Sequence, residues 1–591
     1  MKIERVEPAH WYAGMRNPRL QLMVSGPGIA AVQHVTVSTP GVRLERVVRA
    51  DSPNYLFIYM DLRDAGPGVV TLTLDDCQLD YQLRSRERVG EERQGFSMAD
   101  VLYLIMPDRF AQGRGHHRQV CGMAPYREDR RQPSLRHGGD LNGIREHLDY
   151  FADLGITALW LTPVLENNSA DDEAGFSTYH GYAATDFYRV DPRLGTLDDY
   201  RRLCDEAHAH GLKVVMDLVF NHCSIDHPWL SDLPFQDWVN RIDGPAYLTN
   251  YKLTPVLDPY ASDVDRRETI EGWFTPAMPD LNLRNPHLRR YMTQNVKWWI
   301  ETVGIDGVRM DTFPYVHAAP MSQCLRELRE EYPHFNIVGE TWVTEPAYTA
   351  AWQGDLPTVM DFAFFDRMNR AKEEETDDWF DGLNRIYNTL CYDYLYRDPS
   401  SVMAFLDNHD TDRFLGDSHD VPALKQALAL LLTIRRIPQL YYGTEILMNG
   451  TKQGCDGRVR RDFPGGFPGD RRNAFADGGR TRVQQQMFQW LSRLLHWRRT
   501  SAAVTRGTQK HFIPQDGVYV IARQYEDQRV LTVLNGTSRT AVLRVSRYAE
   551  VIGSDTKARD VLTGCEVSLL HDLSLRPRQS LVLEFFRECP C

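Results

Sequence analysis

Between residues 99 and 500, short apolar segments alternate strictly with longer amphipathic ones, and no other feature constrains the fold as tightly. The short segments are VLYLIMP, ALWLTP, KVVMDLVF, GVRMD, FNIVGE, TVMDFAF, SVMAFLD and PQLYYG. They read as strands buried on both faces, which carry near-continuous apolar runs. Helical segments such as LDDYRRLCDEAHAHG and LRRYMTQNVKWWIETVG lie between them, the first closed by Gly211 just past its end. Eight strands, each followed by a helix, are the count that closes a parallel sheet into a (β/α)8 TIM barrel. The predicted class is therefore α/β.

The flanks have a different texture. LQLMVSG, VQHVTVS, YLFIYMDL and VVTLTLDD are separated by Pro, Gly and Asp and predict an N-terminal β-sandwich over residues 1–95, ending in an Arg/Glu-rich linker, RSRERVGEERQG. The barrel is expected over 96–502. The interval of about 223–284 is too long for a barrel loop and reads as a small subdomain inserted after strand three, with strand-like pieces of its own. FIPQDGVYVIARQYEDQRVLTVLNG and SLVLEFF return to β alternation and predict a C-terminal β-sandwich over 503–591. The Gly/Pro-rich stretch at 463–481 reads as an elaborated loop after strand eight.

Charge and cysteine usage narrow the partners. Sixty-eight basic and 80 acidic residues give a net charge of −12, spread along the chain without a dense basic block, which argues against a nucleic-acid partner. No run of about eighteen apolar residues offers a membrane span. The N-terminus turns polar at once, so no export signal is expected. The ten Cys are scattered without a CxxC, which argues against a zinc ribbon and fits a reducing, cytoplasmic setting. The same sequence would suit a periplasmic protein whose leader had been removed. Cys589 and Cys591 pair up only at the tail.

In a (β/α)8 barrel the active site is built at the C-terminal ends of the strands. Strand three ends in Asp217, followed by Asn221 and His222; strand four ends in Arg309-Met-Asp311; strand five in Glu340-Thr-Trp342; strand seven in Asn408-His409-Asp410. Arg309 and Asp311, two apart, share a face. The guanidinium is expected to depress the Asp311 carboxyl and keep it ionised as a nucleophile. Glu340, with Trp342 on its own face, suits a desolvated carboxyl that stays protonated. Two carboxyls in those roles are the machinery of retaining glycoside hydrolysis. Asp410 is placed to stabilise an oxocarbenium-like transition state, and His222 and His409 to donate to sugar hydroxyls. Any one of these acids could be a helix cap or loop anchor. Three acids, an Arg and two His at one barrel end are not explained that way.

The chain resembles the α-amylase family of glycoside hydrolases, within it the cyclomaltodextrinase/neopullulanase/maltogenic-amylase branch. DLVFNH (217–222), MPDLN (278–282), GVRMDTFPY (307–315), VGET (338–341) and FLDNHD (405–410) are similar to that family's short stretches, in the family's order. RVEPAHWYAGMRNPRLQLMV (5–24), GGDLNGIREHLDYFADLGITALWLTPV (138–164) and YHGYAATDFYRVDPRLGT (179–196) extend the likeness over nearly the whole chain. The resemblance implies Asp311 as nucleophile, Glu340 as acid/base and Asp410 as transition-state stabiliser. It implies Arg309 as the group orienting the nucleophile, His222 and His409 as sugar-binding groups, Tyr182 of His180-Gly-Tyr182 as the aromatic under the sugar ring, and Asp217 as an ordering acid.

Two departures matter. Many relatives follow strand one with an Asn/Asp-rich calcium loop closed by a Gly-Gly-Asp. Gly138-Gly139-Asp140 is present here, but the first half reads AQGRGHHRQV, and His116 and His117 are poor ligands for a hard cation. No metal is assigned and no cofactor is expected to be required; calcium on Asn221 and Asp280 stays open. His116-His117 reads as an exposed loop pair, and His208 and His210 as solvated helix residues. Pro314 departs from α-amylases that bind leaving-side sugars with Lys or His there. The resemblance implies hydrolysis, with retention, of α-1,4-glucosidic bonds in cyclomaltodextrins, maltooligosaccharides and starch or pullulan, with side transglycosylation and a dimer whose sandwich covers a neighbour's site. An α-1,6-glucosidase or a transferase would share the same acids. A catalytically silent carbohydrate-binding subunit would lack them.

Overall fold

The computed structural model describes residues 2–116, 120–172, 175–241 and 247–585. His117 and the tail pair Cys589 and Cys591 lie outside the described residues. The strands β1 (Leu102–Ile105), β2 (Ala158–Leu161), β3 (Lys213–Val219), β4 (Gly307–Asp311), β5 (Asn336–Gly339), β6 (Thr358–Met360), β7 (Val402–Phe405) and β8 (Ile437–Tyr441) form one closed parallel barrel in sequence order, β8 pairing back onto β1. The alternation of short apolar and amphipathic segments thus closes as expected. Every barrel strand is buried along nearly all its length, which is why the runs are apolar without alternation.

Local signals set the helix ends. Thr196 and Asp199 form a reciprocal capping box on the helix Leu197–Ala209, and Gly211, at φ 72°, follows its end in the left-handed conformation that a Cβ would disfavour. Asn285 caps the helix Pro286–Val303 through the His287 and Leu288 amides, and Gly304 at φ 78° ends it.

The N-terminal residues form two four-stranded sheets. One has the order Arg5–Glu7, Arg19–Ser25, Tyr55–Asp61, Arg43–Arg49; the other runs Trp11–Tyr12, Cys77–Arg84, Gly68–Leu74, Val35–Val37. C-terminal to the barrel stand a six-stranded sheet built around Val518–Tyr525 and Gln528–Asn535 and a two-stranded one.

Two sequence expectations change. The segment 84–95 is not a loose linker. Arg86 donates to Glu301 Oε1 at 2.8 Å and to Glu331 at 2.7 Å, Arg93 donates to Glu301 Oε2 at 2.9 Å, and all four side chains are buried. Two of the segment's charges, Arg86 and Arg93, are spent on carboxylates of the helices Pro286–Val303 and Ala318–Glu331. The inserted segment after β3 carries no strand among its described residues. It holds the short helices Pro228–Ser231, Thr254–Leu257 and Asp263–Glu271 with isolated bridges such as Val239 to Leu281, and its apolar pieces serve as buried aromatic anchors, Trp229 and Trp238 in contact at 5.3 Å.

Candidate active site

The mouth of the barrel collects the strand-end residues around one guanidinium. Arg309 is almost fully buried on β4 and donates from Nη1 to Asp311 Oδ1 at 2.6 Å and to Asp217 Oδ1 at 3.0 Å; its Nη2 reaches Glu340 Oε2 at 2.9 Å. Asp217, on β3, also accepts from Trp160 Nε1 at 3.1 Å and from the Tyr182 hydroxyl at 3.0 Å. Glu340 follows β5 directly. Its Oε2 accepts the Thr312 amide at 2.9 Å, an approach made by the left-handed turn of Thr312 at φ 46°. That conformation costs a non-glycine residue roughly 1–2 kcal/mol, and such strain collects where a site needs it. Two donors on Oε2 leave Oε1 as the oxygen that can carry a proton. On Asp311, Oδ1 is held by Arg309, whereas Oδ2 meets only the Thr312 hydroxyl at 3.2 Å.

After β7, Asp410 sits across the cleft. Its Oδ2 lies 3.0 Å from His409 Nε2, and its Oδ1 accepts from Arg460 at 2.7 Å. The Tyr182 ring lies parallel to His409, centroids 5.4 Å apart and planes 5° apart, with its hydroxyl 2.7 Å from Nε2. His180 lines the cleft beside Tyr182 and uses Nδ1 to accept the Tyr182 amide at 3.0 Å. Burial lowers His180 to about 3, so the ring is neutral and its proton sits on Nε2, free to donate. His222 differs from the expectation. Its Nε2 donates to the Tyr182 carbonyl at 3.2 Å, and burial lowers the ring to about 4. It therefore lines the cleft with its donor already spent. Trp342 stands at the cleft wall, 44% exposed and stacked on Phe362 at 4.9 Å, so the desolvation of Glu340 comes from the barrel mouth rather than from that ring.

The cleft is about 460 Å³ and is lined by all three acids, His180, Tyr182, His222 and Trp342. Further lining comes from residues with no strand-end signature. Tyr251 and Phe274 belong to the inserted segment, and Lys452, Asp456 and Arg460 come from the loop after β8. A loop supplies no periodicity to read, so these were missed.

Electrostatics follow from one cation serving three buried carboxyls. Burial raises Glu340 to about 7, with Arg309 pulling it back and Asp311 and Asp410 pushing it up. Asp217 is likewise raised to about 7 by burial. Asp311 is raised rather than depressed: burial outweighs the pull of Arg309, which is divided among three partners. Burial acts on Asp410 too, but His409 and Arg460 outweigh it and hold that carboxyl far below its usual range. At neutral pH the cluster keeps a proton that Glu340 can hold, next to an ionised Asp410.

The strand-one loop was expected to be exposed at His116. Instead His116 is largely enclosed, Nε2 at 3.1 Å from Glu128 and Nδ1 at 3.3 Å from Asp140. Those two carboxylates outweigh the effect of burial and raise it to about 9, so an imidazolium occupies the space between them. Near β3, Asn221 Oδ1 is buried without a partner, whereas Asp280 Oδ2 accepts from Asn240 Nδ2 at 2.7 Å. Among the described residues no group of three or more His, Cys, Asp or Glu side chains is arranged to hold a metal. His208 is not simply solvated either: Nε2 meets Asp306 at 2.8 Å, the carboxylate that also accepts the Val214 amide.

Three family models match the chain: "Cyclomaltodextrinase, N-terminal" over residues 5–87, "Alpha amylase, catalytic domain" over 104–503, and "Cyclo-malto-dextrinase C-terminal domain" over 509–584. The chain is 30% identical to a cyclomaltodextrin glucanotransferase of Geobacillus stearothermophilus over 78% of its own length and 62% of the relative's. It thus spans less than two thirds of that protein. It is 29% identical to neopullulanase 2 of Thermoactinomyces vulgaris, over 82% of this chain and 77% of the other. An α-amylase structure from Anoxybacillus superposes with a TM-score of 0.68 at 28% identity, covering 82% of this chain and 98% of that one.

Proposed function

Because the chain belongs to the α-amylase family of glycoside hydrolases and carries both flanking domains of cyclomaltodextrinases, we propose that it hydrolyses α-1,4-glucosidic bonds in cyclomaltodextrins and maltooligosaccharides, and in starch or pullulan more slowly, with retention. The single observation that carries the reading is the Arg309 guanidinium shared by Asp217, Asp311 and Glu340 in a cleft completed by Asp410.

In this reading Glu340 Oε1 gives its proton to the glycosidic oxygen while Asp311 Oδ2 forms a bond to the anomeric carbon and the C–O bond to the leaving sugar breaks. Glu340, now ionised, takes a proton from water. That water attacks the anomeric carbon and releases Asp311. A sugar hydroxyl can replace the water, which gives transglycosylation. Asp410 stabilises the cationic sugar, and His180 and His409 fix its hydroxyls. The relatives' names support the substrate class: one is named a cyclomaltodextrin glucanotransferase, another a neopullulanase. An α-glucan transferase on the same acids is the second reading, favoured by the glucanotransferase name of one relative.

No cofactor is part of this proposal. His116 supplies a positive charge between Glu128 and Asp140, so a cation has little left to satisfy in the strand-one loop. Among the described residues no helix is long and apolar enough to cross a membrane. The described cysteines are all free, which supports a reducing, cytoplasmic compartment.

The test is product analysis with β-cyclodextrin, soluble starch and pullulan at equal mass, with Asp311→Asn as control. Ring opening to maltose and glucose faster than attack on starch, with the variant silent, supports the reading. Rapid starch attack with intact cyclodextrin moves it to an α-amylase, and silence on all three sinks it.

A further inference from the structure

Asp410 differs from the other two acids in how it is held. Asp311 and Glu340 stand at strand ends and share Arg309. Asp410 stands on the turn after β7 and is the most open of the three, its side chain 24% exposed. Neither of its carboxylate oxygens is bonded to Arg309. One oxygen, Oδ2, meets His409 Nε2 at 3.0 Å. The other, Oδ1, is gripped by Arg460 Nη2 at 2.7 Å from the loop after β8, while Arg460 Nε donates to the His409 carbonyl at 2.7 Å. One guanidinium edge thus holds the main chain of one residue and the side chain of the next. A planar fork does this and a single ammonium does not.

Arg460 is itself immobilised. It is buried, and Nη1 donates to the Tyr179 hydroxyl at 3.2 Å. Arg109 lies over the Tyr179 ring at 3.8 Å and donates to the Arg460 carbonyl at 2.8 Å. Asp456 accepts a further bond from Nη2 at 3.1 Å. The charge facing Asp410 from the loop after β8 is therefore Arg460 together with Lys452, which donates to the Asp410 carbonyl at 3.0 Å.

We propose that Arg460 is the positioning residue for Asp410: it keeps Oδ1 and the 409–410 turn in place while substrate displaces the His409 contact at Oδ2. This rests on the glycosidase reading above. Substrate binding breaks an Asp410–His409 bond, and without Arg460 the carboxylate would be free to rotate away from the sugar cation at the moment it is needed. The role belongs to the transition state, so its loss falls on kcat rather than on KM.

The experiment is a double-mutant cycle with 4-nitrophenyl α-maltoside, comparing wild type, Arg460→Gln, Asp410→Asn and the pair, with thermal melting as a control. In the Asp410 background Arg460→Gln is expected to lower kcat about 10–100-fold with KM within about threefold. In the Asp410→Asn background the same change should cost less than about threefold, because the group it positions is gone. Equal losses in both backgrounds would make Arg460 a structural brace, and a loss confined to KM would make it a sugar contact; either overturns the proposal. If Arg460→Gln does not fold, Arg460→Lys decides: reduced kcat with unchanged KM supports the fork, and wild-type kcat overturns it. A wild-type enzyme inactive on the maltoside and on β-cyclodextrin would sink the glycosidase reading itself, which is a different result.

Discussion

Arg309 has one charge to divide among Asp217, Asp311 and Glu340, so the cleft cannot ionise all three at neutral pH without cost. Such groups titrate as a cluster, and the measured limbs belong to the cluster. Glu340, raised to about 7, must be protonated to act as the acid. Activity from that group is therefore present below pH 7 and lost as pH rises through it. A profile of kcat/KM on maltooligosaccharides should show its alkaline limb near pH 7, and a limb at pH 9 or above would count against Glu340. Glu340→Gln sharpens the test. It should cost about 100-fold or more on maltotriose, whose leaving group needs a proton, and far less on a nitrophenyl maltoside, which does not. Equal losses would remove Glu340 from the acid role. The strand-end acids were legible because a barrel directs strand ends to one mouth. The depression expected at Asp311 was not, because adjacency of Arg309 and Asp311 in sequence says nothing about how many other carboxyls claim the same cation.

The strand-one loop shows what an element adds to that picture. His116 joins Glu128 to Asp140, and Asp140 in turn caps the helix Leu141–Arg145 and accepts the Gly113 amide at 3.0 Å. In composition the segment reads as an exposed basic loop. Only the fold brings Glu128 and Asp140 to either side of the ring, which is why this clamp and the Arg460 contact both escaped sequence reasoning. The sign of its pH dependence is fixed by the shift. His116 is raised from 6.5 to about 9, so its contribution is complete below about pH 6.5 and disappears as pH rises through 9. Allowing for solvent screening, that contribution is about 1–2 kcal/mol. The melting temperature of the wild type should fall between pH 6.5 and 9, and His116→Asn should be less stable at pH 6.5 while losing most of that slope. A parallel slope in the variant would show that other groups titrate. EDTA should leave wild-type melting and activity unchanged, and a loss of both would show that a cation is needed after all.

Across the whole molecule the order of domains was legible from changes in periodicity, while their attachment was not. RSRERVGEERQG has the composition of a solvated connector, and composition cannot separate a charge in water from one paired in an interface. In the fold Glu301 is fully enclosed and binds Arg86, Arg93 and the Tyr332 hydroxyl, and Arg86 also binds Glu331, so the chain leaving the N-terminal sheets is tied to two barrel helices through two buried carboxylates. Gly90 lies so close to the Glu331 carbonyl that an added Cβ would stand 1.7 Å from it. Replacing a buried ion pair by apolar groups can be nearly neutral, but removing one partner leaves the other charged and stranded. Glu301→Gln leaves Arg93 without any carboxylate and Arg86 with Glu331 alone, and should cost about 3–5 kcal/mol. That cost falls where the N-terminal sheets meet the barrel. Urea unfolding followed at once by N-terminal and barrel probes should therefore separate into two transitions in the variant, the N-terminal one first. The same variant should keep its cleavage of 4-nitrophenyl maltoside at low urea, because nothing in the cleft touches Glu301. A single unshifted transition would mean that the Glu301 cluster does not hold the N-terminal sheets to the barrel.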